Sequence, residues 1–260
     1  MANLLNRLLQ VFGTPHPVAL VTGSGAKRVG NVIVRELARR GYRVAIHSHT
    51  SQASAEETVQ ELRADGGDAI ALAADLSREA AARQLVDEAF AHFGRLDLLV
   101  NAAAIWQPIK LDLVTAADVR RNFELNTLST FICSQQAGLK MVAQPTGGAI
   151  INLGDWAIAR PYLNYAAYFP SKGAIPALTR SLAVELAARN PRIRVNAILP
   201  GPVMLPSDLP AEERAAAIAG TLVKREGAPQ HIADAVVFLA ENDFITGICL
   251  PVDGGRTICG

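Results

Sequence analysis

Aromatic residues supply only 5% of this 260-residue chain. That is too few for the base-stacking platforms of single-strand nucleic-acid binders. Charge of one sign is also missing: 25 Lys and Arg stand against 24 Asp and Glu, for a net charge of +1. A nucleic-acid surface needs a basic excess, so nucleic acid is not an expected partner. Cysteine is scarce and odd in number, at Cys133, Cys249 and Cys259. The wide spacing fits neither a disulfide framework nor a metal site, and implies a reducing, cytoplasmic compartment. No apolar run reaches the roughly 20 residues of a membrane span. What the chain does have is apolar residues, 50% of the total, enough for a large core in one α/β domain. Near the start, Leu8-Leu9-Gln10-Val11-Phe12 is too short and broken for a signal peptide. Residues 1–16 read as a ragged terminal arm, with a short amphipathic helix docked on a partner subunit as the alternative. Residues 17–260 read as a single domain.

A nucleotide site is written near the beginning of that domain. Val18-Ala-Leu-Val-Thr22 is a short apolar run suited to a buried parallel strand. Gly23, Gly25 and Gly30 follow, and then the helical pattern 32–40 with Gly41 beyond it as a cap. Strand, glycine turn and helix N-terminus form the arrangement that receives a pyrophosphate on backbone N–H groups. Lys27, Arg28 and Val29 lie in the same turn.

The next strand, Arg43-Val-Ala-Ile-His47, bears on the cofactor. An NAD site usually carries Asp or Glu at its end for the ribose 2′-OH. Here the residues are His47-Ser48-His49-Thr50-Ser51, with no acid. Imidazoles and hydroxyls beside Lys27 and Arg28 suit a 2′-phosphate, so the expected cofactor is NADPH (NADP+). The alternative is that His47 and His49 are loop residues without a ligand.

Strands and helices then alternate. Further strands are expected at 69–73, 96–101, 149–153, 193–199 and 248–252, and helices near 53–64, 78–93, 116–143, 166–189, 211–220 and 230–241. Alternation of this kind predicts a doubly wound, Rossmann-type parallel sheet with helices on both faces. Pro176 is expected to kink the helix over 166–189. The apolar, proline-rich loop from Gly201 to about Pro210, with Val203, Met204 and Leu205, is a candidate for substrate contact.

Tyr168 and Lys172 are four apart, which puts both on one helix face. An ammonium there would stabilise the tyrosinate and lower the phenol's pKa, making Tyr168 a proton donor at neutral pH. Thirteen residues earlier, Asp155 stands where a strand ends and a loop begins. A capping role in the following turn is its alternative.

Taken together, these motifs resemble the short-chain dehydrogenase/reductase family over about Pro17 to Gly255. They are Thr22-Gly23 to Gly30, Asp75-Leu76, Asn101-Ala102-Ala103, Asn126, Tyr168 with Lys172, Pro200-Gly201 and Val252 to Gly255. The resemblance implies that Tyr168 donates the proton and that Lys172 binds the nicotinamide ribose. It implies that Asn126 supports a proton-relay water, Asp75 contacts the adenine, and Asn101, Ala102 and Ala103 line the cofactor. It also implies a homotetramer or homodimer, and no metal.

One departure narrows the substrate. Most family members carry serine where this chain has Asp155. An ionised carboxylate has no donor for a carbonyl, but it accepts from an N–H edge. This is similar to the pteridine reductase branch of the family. That branch also matches Arg28 as a substrate or cofactor contact, the histidine-rich loop 47–51, Tyr165 and the loop 202–209. Trp106 falls where the branch stacks an aromatic on the pterin; a core or interface aromatic is the other reading. The resemblance implies hydride transfer from NADPH to a pterin-like C=N heterocycle. The alternatives are a carbonyl reductase acting on a 3-oxoacyl group or ketone, and a non-catalytic NADP(H)-sensing protein.

Overall fold

In the computed structural model, residues 2–259 are described. Seven parallel strands form one sheet in the order β3-β2-β1-β4-β5-β6-β7. They are β1 (Val18–Thr22), β2 (Arg43–Ser48), β3 (Ala69–Ala73), β4 (Leu98–Asn101), β5 (Gly148–Leu153), β6 (Ile193–Pro200) and β7 (Cys249–Val252). The order of strands reverses between β1 and β4, and open sheets of this kind receive ligands in the crevice beyond that point.

Alternate residues along each strand serve opposite faces. Ala19 and Val21 join one core with α2 (Val29–Arg39), α3 (Gln52–Ala64) and α9 (Pro229–Glu241). Val18 and Leu20 join the other with α4 (Glu79–Phe93), α6 (Ser129–Val142) and α7 (Tyr168–Ala187). Burial on both faces is why these strands are continuously apolar.

Three expectations are corrected or narrowed. The N-terminal segment is a helix, α1 (Ala2–Phe12), seated on the first core. Leu8 and Phe12, one turn apart, are fully buried, each contributing about 2 kcal/mol. The Phe12 ring meets Tyr42 edge-on at 5.9 Å, and its carbonyl accepts from Arg95 Nη2 at 2.8 Å. Second, α7 continues through Pro176 as one helix. Third, the single helix expected at 116–143 is two, α5 (Ala116–Asn122) and α6, joined by a π-helical turn over Phe123–Leu128. The remaining helix, α8 (Ala211–Ala219), follows the apolar loop.

Candidate active site

At the carboxyl end of β1 the backbone is packed too tightly for side chains. A Cβ on Gly23, where φ is +65°, would stand 2.6 Å from Ala103 Cα. One on Gly30 would stand 2.6 Å from the Gly23 carbonyl oxygen, and one on Gly25 2.6 Å from Ser48 Cβ. Thr22 Oγ1 accepts from the amides of Ala102 and Ala103 at 3.0 and 3.1 Å, tying β1 to β4 at the point of reversal. Arg28 gives α2 no side-chain cap, so the Val29 and Gly30 amides keep their capacity for an anion, while the Asn31 amide donates to the Arg28 carbonyl at 3.0 Å.

The structure gives His47 a different task from the one read in the sequence. Its ring is buried, Nδ1 accepts from the Gly23 amide at 2.9 Å, and Nε2 donates to the Ala74 carbonyl at 3.1 Å. Both nitrogens are therefore spent on backbone, and burial lowers the imidazole's pKa. His47 holds the glycine turn in place and has no nitrogen left for a phosphate. The neighbouring groups remain available. His49 is exposed and Ser51 half-buried, while Ser48 Oγ is buried with no hydrogen-bond partner. Lys27 and Arg28 are exposed, Lys27 paired with Glu57 at 3.0 Å.

Other expected cofactor residues divide in the same way. Asp75 Oδ1 accepts from Ser77 N and Oγ at 3.0 and 2.7 Å, and Leu76 is buried. The Asn101 amide is turned into the core, donating to Ser134 Oγ and Asn152 Oδ1, both at 2.9 Å. The contribution open to Asn101, Ala102 and Ala103 is thus backbone. Pro200 ends β6, and a Cβ on Gly201 would stand 2.5 Å from Asp253 Cα.

Across the crevice, side chains build the site. Past β5, Gly154 leads into Asp155, whose two oxygens do different work. Oδ1 accepts from the Ala157 amide at 2.8 Å, capping a 3-10 turn, and Oδ2 accepts from the Tyr168 hydroxyl at 2.7 Å. Asp155 thus caps the turn with one oxygen and holds the Tyr168 hydroxyl with the other. Lys172 lies one turn along α7, buried, with Nζ donating to the Leu153 carbonyl at 2.7 Å.

The protonation pattern departs from expectation. Tyr168 is pushed well above the ordinary phenol range, first by burial and then by the Asp155 carboxylate. Burial likewise raises Asp155, while it lowers Lys172 to about 8. Lys172 therefore does not leave Tyr168 acidic here. Burial thus disfavours the charged form of both Asp155 and Tyr168. Asn126 sits in the π-helical turn and clamps Ile105: its Oδ1 accepts from the Ile105 amide at 2.8 Å, and its Nδ2 donates to the Ile105 carbonyl at 3.1 Å and to Ser171 Oγ at 3.0 Å.

That clamp starts the loop bearing Trp106. The indole stacks on Tyr165 at 5.0 Å and 16°, and its Nε1 donates to the Tyr162 hydroxyl at 3.3 Å. One indole face is covered by Tyr165, so only the other is open to a ring. Tyr165 stands 6.0 Å from Tyr168, centroid to centroid. In the loop after β6, Val203 is buried in the core, which removes it from substrate contact. Met204 is 44% exposed, and Leu205 is tethered by its amide to Glu226 Oε1 at 2.9 Å. Sequence reasoning missed Tyr162, Trp156 and Glu226. The run of aromatics at 156, 162, 165, 168 and 169 was the available signal for the first two. Among the described residues no His, Cys, Asp and Glu cluster could hold a metal ion.

A doubly wound sheet, a crowded glycine turn at its reversal point and a Tyr–Lys pair across the crevice define a nucleotide-dependent oxidoreductase. Comparison with known proteins agrees. The family model described as enoyl-(acyl carrier protein) reductase matches residues 25–257. Pteridine reductase 1 of Leishmania tarentolae is 33% identical, over 93% of this chain and 96% of its own. The cis-4-hydroxycyclohexanecarboxylate dehydrogenase of Sinomonas cyclohexanicum is 36% identical, over 92% of this chain and 96% of its own. A blue fluorescent protein from a metagenomic library, solved in complex with NADPH, superposes with a TM-score of 0.85. It is 35% identical and covers 92% of this chain and 97% of its own. The chain belongs to the short-chain dehydrogenase/reductase family and is an NAD(P)-dependent oxidoreductase. The residues present fit such a cofactor: an uncapped helix N-terminus, a turn with no room for side chains and the unpartnered Ser48 Oγ.

Proposed function

We propose that the chain is an NADPH-dependent reductase of a pterin-like C=N heterocycle. The observation that carries this is the 2.7 Å hydrogen bond from Tyr168 to Asp155 Oδ2, at the place where the family usually has serine. A hydroxyl there would polarise a carbonyl; a carboxyl group can accept from the N–H edge of a heterocycle or hold a proton. Bound at the glycine turn, NADPH supplies a hydride to the ring carbon. Tyr168 delivers the proton: its O–H bond breaks as an N–H bond forms on the substrate. Asp155, whose pKa burial raises, relays a proton from solvent to the tyrosinate. Lys172 stabilises the transient phenolate and binds the ribose. Asn126 keeps Ile105, and so Trp106, in register. The open face of Trp106 and the Met204–Leu205 loop bound the ring.

Preference for NADPH rests on the missing acid after β2 and on Ser48, His49 and Ser51, with Lys27 and Arg28 across the turn. Carbonyl reduction is the second reading, because Tyr168 and Lys172 serve a ketone as well and the dehydrogenase from Sinomonas is as similar as the pteridine reductase. We place the protein in the cytoplasm as a homotetramer or homodimer, supported by exposed Phe131 on α6 and Val184 on α7; sizing by light scattering tests this.

Asp155→Ser separates the two enzyme readings. It restores a carbonyl-polarising hydroxyl and removes the acceptor for an N–H edge. Dihydropterin reduction should fall sharply, since a site built to bind a polar edge loses much without its partner. Ketone reduction should hold or rise. Unchanged kcat/KM for the dihydropterin, or a native preference for an activated ketone, would replace the pterin reading with carbonyl reduction.

A further inference from the structure

The C-terminal turn brings one guanidinium to a junction of three segments. Arg256 Cζ stands 4.6 Å from the centroid of the Trp156 ring. Its Nη1 donates to the Ala217 carbonyl and, at 3.5 Å, to that of Ala216, both in the last turn of α8. Its own carbonyl accepts from Arg160 Nη1 at 3.3 Å. The turn bearing it is stiff: Asp253 Oδ1 accepts from the Gly255 amide at 2.9 Å, and Oδ2 from Thr257 N and Oγ1 at 2.7 and 2.6 Å. Gly220, just past α8, lies so close to the guanidinium that any Cβ there would collide with it.

Each end of this contact leads to the crevice. Trp156 follows Asp155 directly and opens the 3-10 turn that Asp155 Oδ1 caps. Its ring is stacked near Tyr162 at 6.5 Å and 28°, and Tyr162 in turn accepts from Trp106. On the other side, α8 is the continuation of the apolar loop. Arg214 on α8 binds Glu226 Oε2 at 2.6 Å and the Pro206 carbonyl at 2.7 Å, and Glu226 Oε1 holds the Leu205 amide.

We propose that Arg256 is a positioning residue that locks the seat of α8, and the loop before it, to the turn carrying Asp155. A planar guanidinium can lie over an aromatic face while its in-plane N–H groups reach carbonyls, and an ammonium cannot do both in one geometry. A positive charge at the carboxyl end of a helix adds a favourable dipole term. A ring that presses on Met204 and Leu205 thereby acts on the turn that aims Asp155 at Tyr168. The inference rests on Asp155 and Tyr168 being the reacting pair, but not on the substrate's being a pterin.

Hydrogen exchange of the full chain saturated with NADPH tests it, with mass-spectrometric readout of segments 211–219, 156–160 and 253–259. Arg256→Gln should speed exchange at least tenfold in the first two segments together. Trp156→Leu, on the other side of the guanidinium, should speed it severalfold in 211–219. Arg256→Lys should restore protection at 156–160 but not at 211–219. Loosening confined to 253–259, or of α8 alone with 156–160 unchanged, would overturn the proposal. In steady state, Arg256→Gln should raise KM for a dihydropterin or an activated ketone about fivefold to tenfold. It should also lower kcat severalfold and leave the NADPH Kd unchanged; native kcat and KM together would count against it. If native protein turns over neither compound, the substrate reading fails, and the exchange result alone decides the role of Arg256.

Discussion

The two walls of the crevice are built by opposite means. Around Gly23, Gly25 and Gly30 the wall is backbone, packed so closely that a single methyl group would collide. Around Asp155, Tyr168 and Trp106 it is side chains, each with a named partner. A wall of backbone tolerates no addition and recognises what all nucleotides share, the phosphates. A wall of side chains can be rewritten residue by residue, and the proposed function places substrate choice there.

The largest expected effect tests whether the side-chain wall carries a stressed charge. Burial lowers Lys172 from 10.5 to about 8. Between those values the unfolded chain holds a proton that the folded chain has shed, so stability rises with pH across the window. Lys172→Met removes that term. The stability of wild type relative to this variant should grow by on the order of 3 kcal/mol from pH 8 to 10.5. Parallel denaturation curves across that range would mean that Lys172 keeps its charge.

Next in size is Tyr168→Phe. It should leave the NADPH Kd nearly intact and cut turnover roughly a hundredfold, about 2.7 kcal/mol, as for a lost general acid. Near-native turnover would move the proton source elsewhere. The backbone wall is probed by Gly23→Ala, which should cost about 2 kcal/mol or more of stability through the left-handed conformation and the contact with Ala103. Gly173→Ala, on α7 with nothing within 4 Å of the new methyl, should instead stabilise by up to about 1 kcal/mol. Equal effects of the two would erase the distinction between the walls. An effect between those two in size concerns the nucleotide itself. NADPH should bind about tenfold more tightly than NADH, about 1.4 kcal/mol, and His49→Ala should reduce that ratio severalfold. Calorimetry giving equal constants would remove the basis for the 2′-phosphate reading.

Much of this was legible in the chain. The strands lie where apolar runs placed them, within two residues, because burial on both faces leaves a continuous signal. Asp155 and Tyr168 were linked through the family resemblance, by their separation of thirteen positions. What could not be read was the destination of polar atoms. His47 looks like a phosphate ligand in sequence, yet its ring faces Gly23 and Ala74, a fact set by how β1, β2 and β3 lie together. The inward turn of the Asn101 amide, toward Ser134 and Asn152, is set by tertiary packing in the same way. Helix α1 was the second reading of its segment; what the sequence could not show is that Leu8 and Phe12 cover the chain's own core rather than a partner subunit. The lysine's effect on Tyr168 was misjudged because burial, invisible in a spacing rule, outweighs it.

The π-helical turn at Phe123–Leu128 has a consequence for engineering. Deleting one residue there would let α5 and α6 fuse into a regular helix, which is the more stable local conformation. One residue of an α-helix is about 100° of rotation. Asn126 would then swing away from Ile105 and Ser171, or α6 would turn its buried face off α4. The turn is thus a place where local regularity and activity pull in opposite directions, as often happens at functional sites. Selection for heat resistance alone is expected to enrich variants that straighten it, each a better helix and a poorer enzyme.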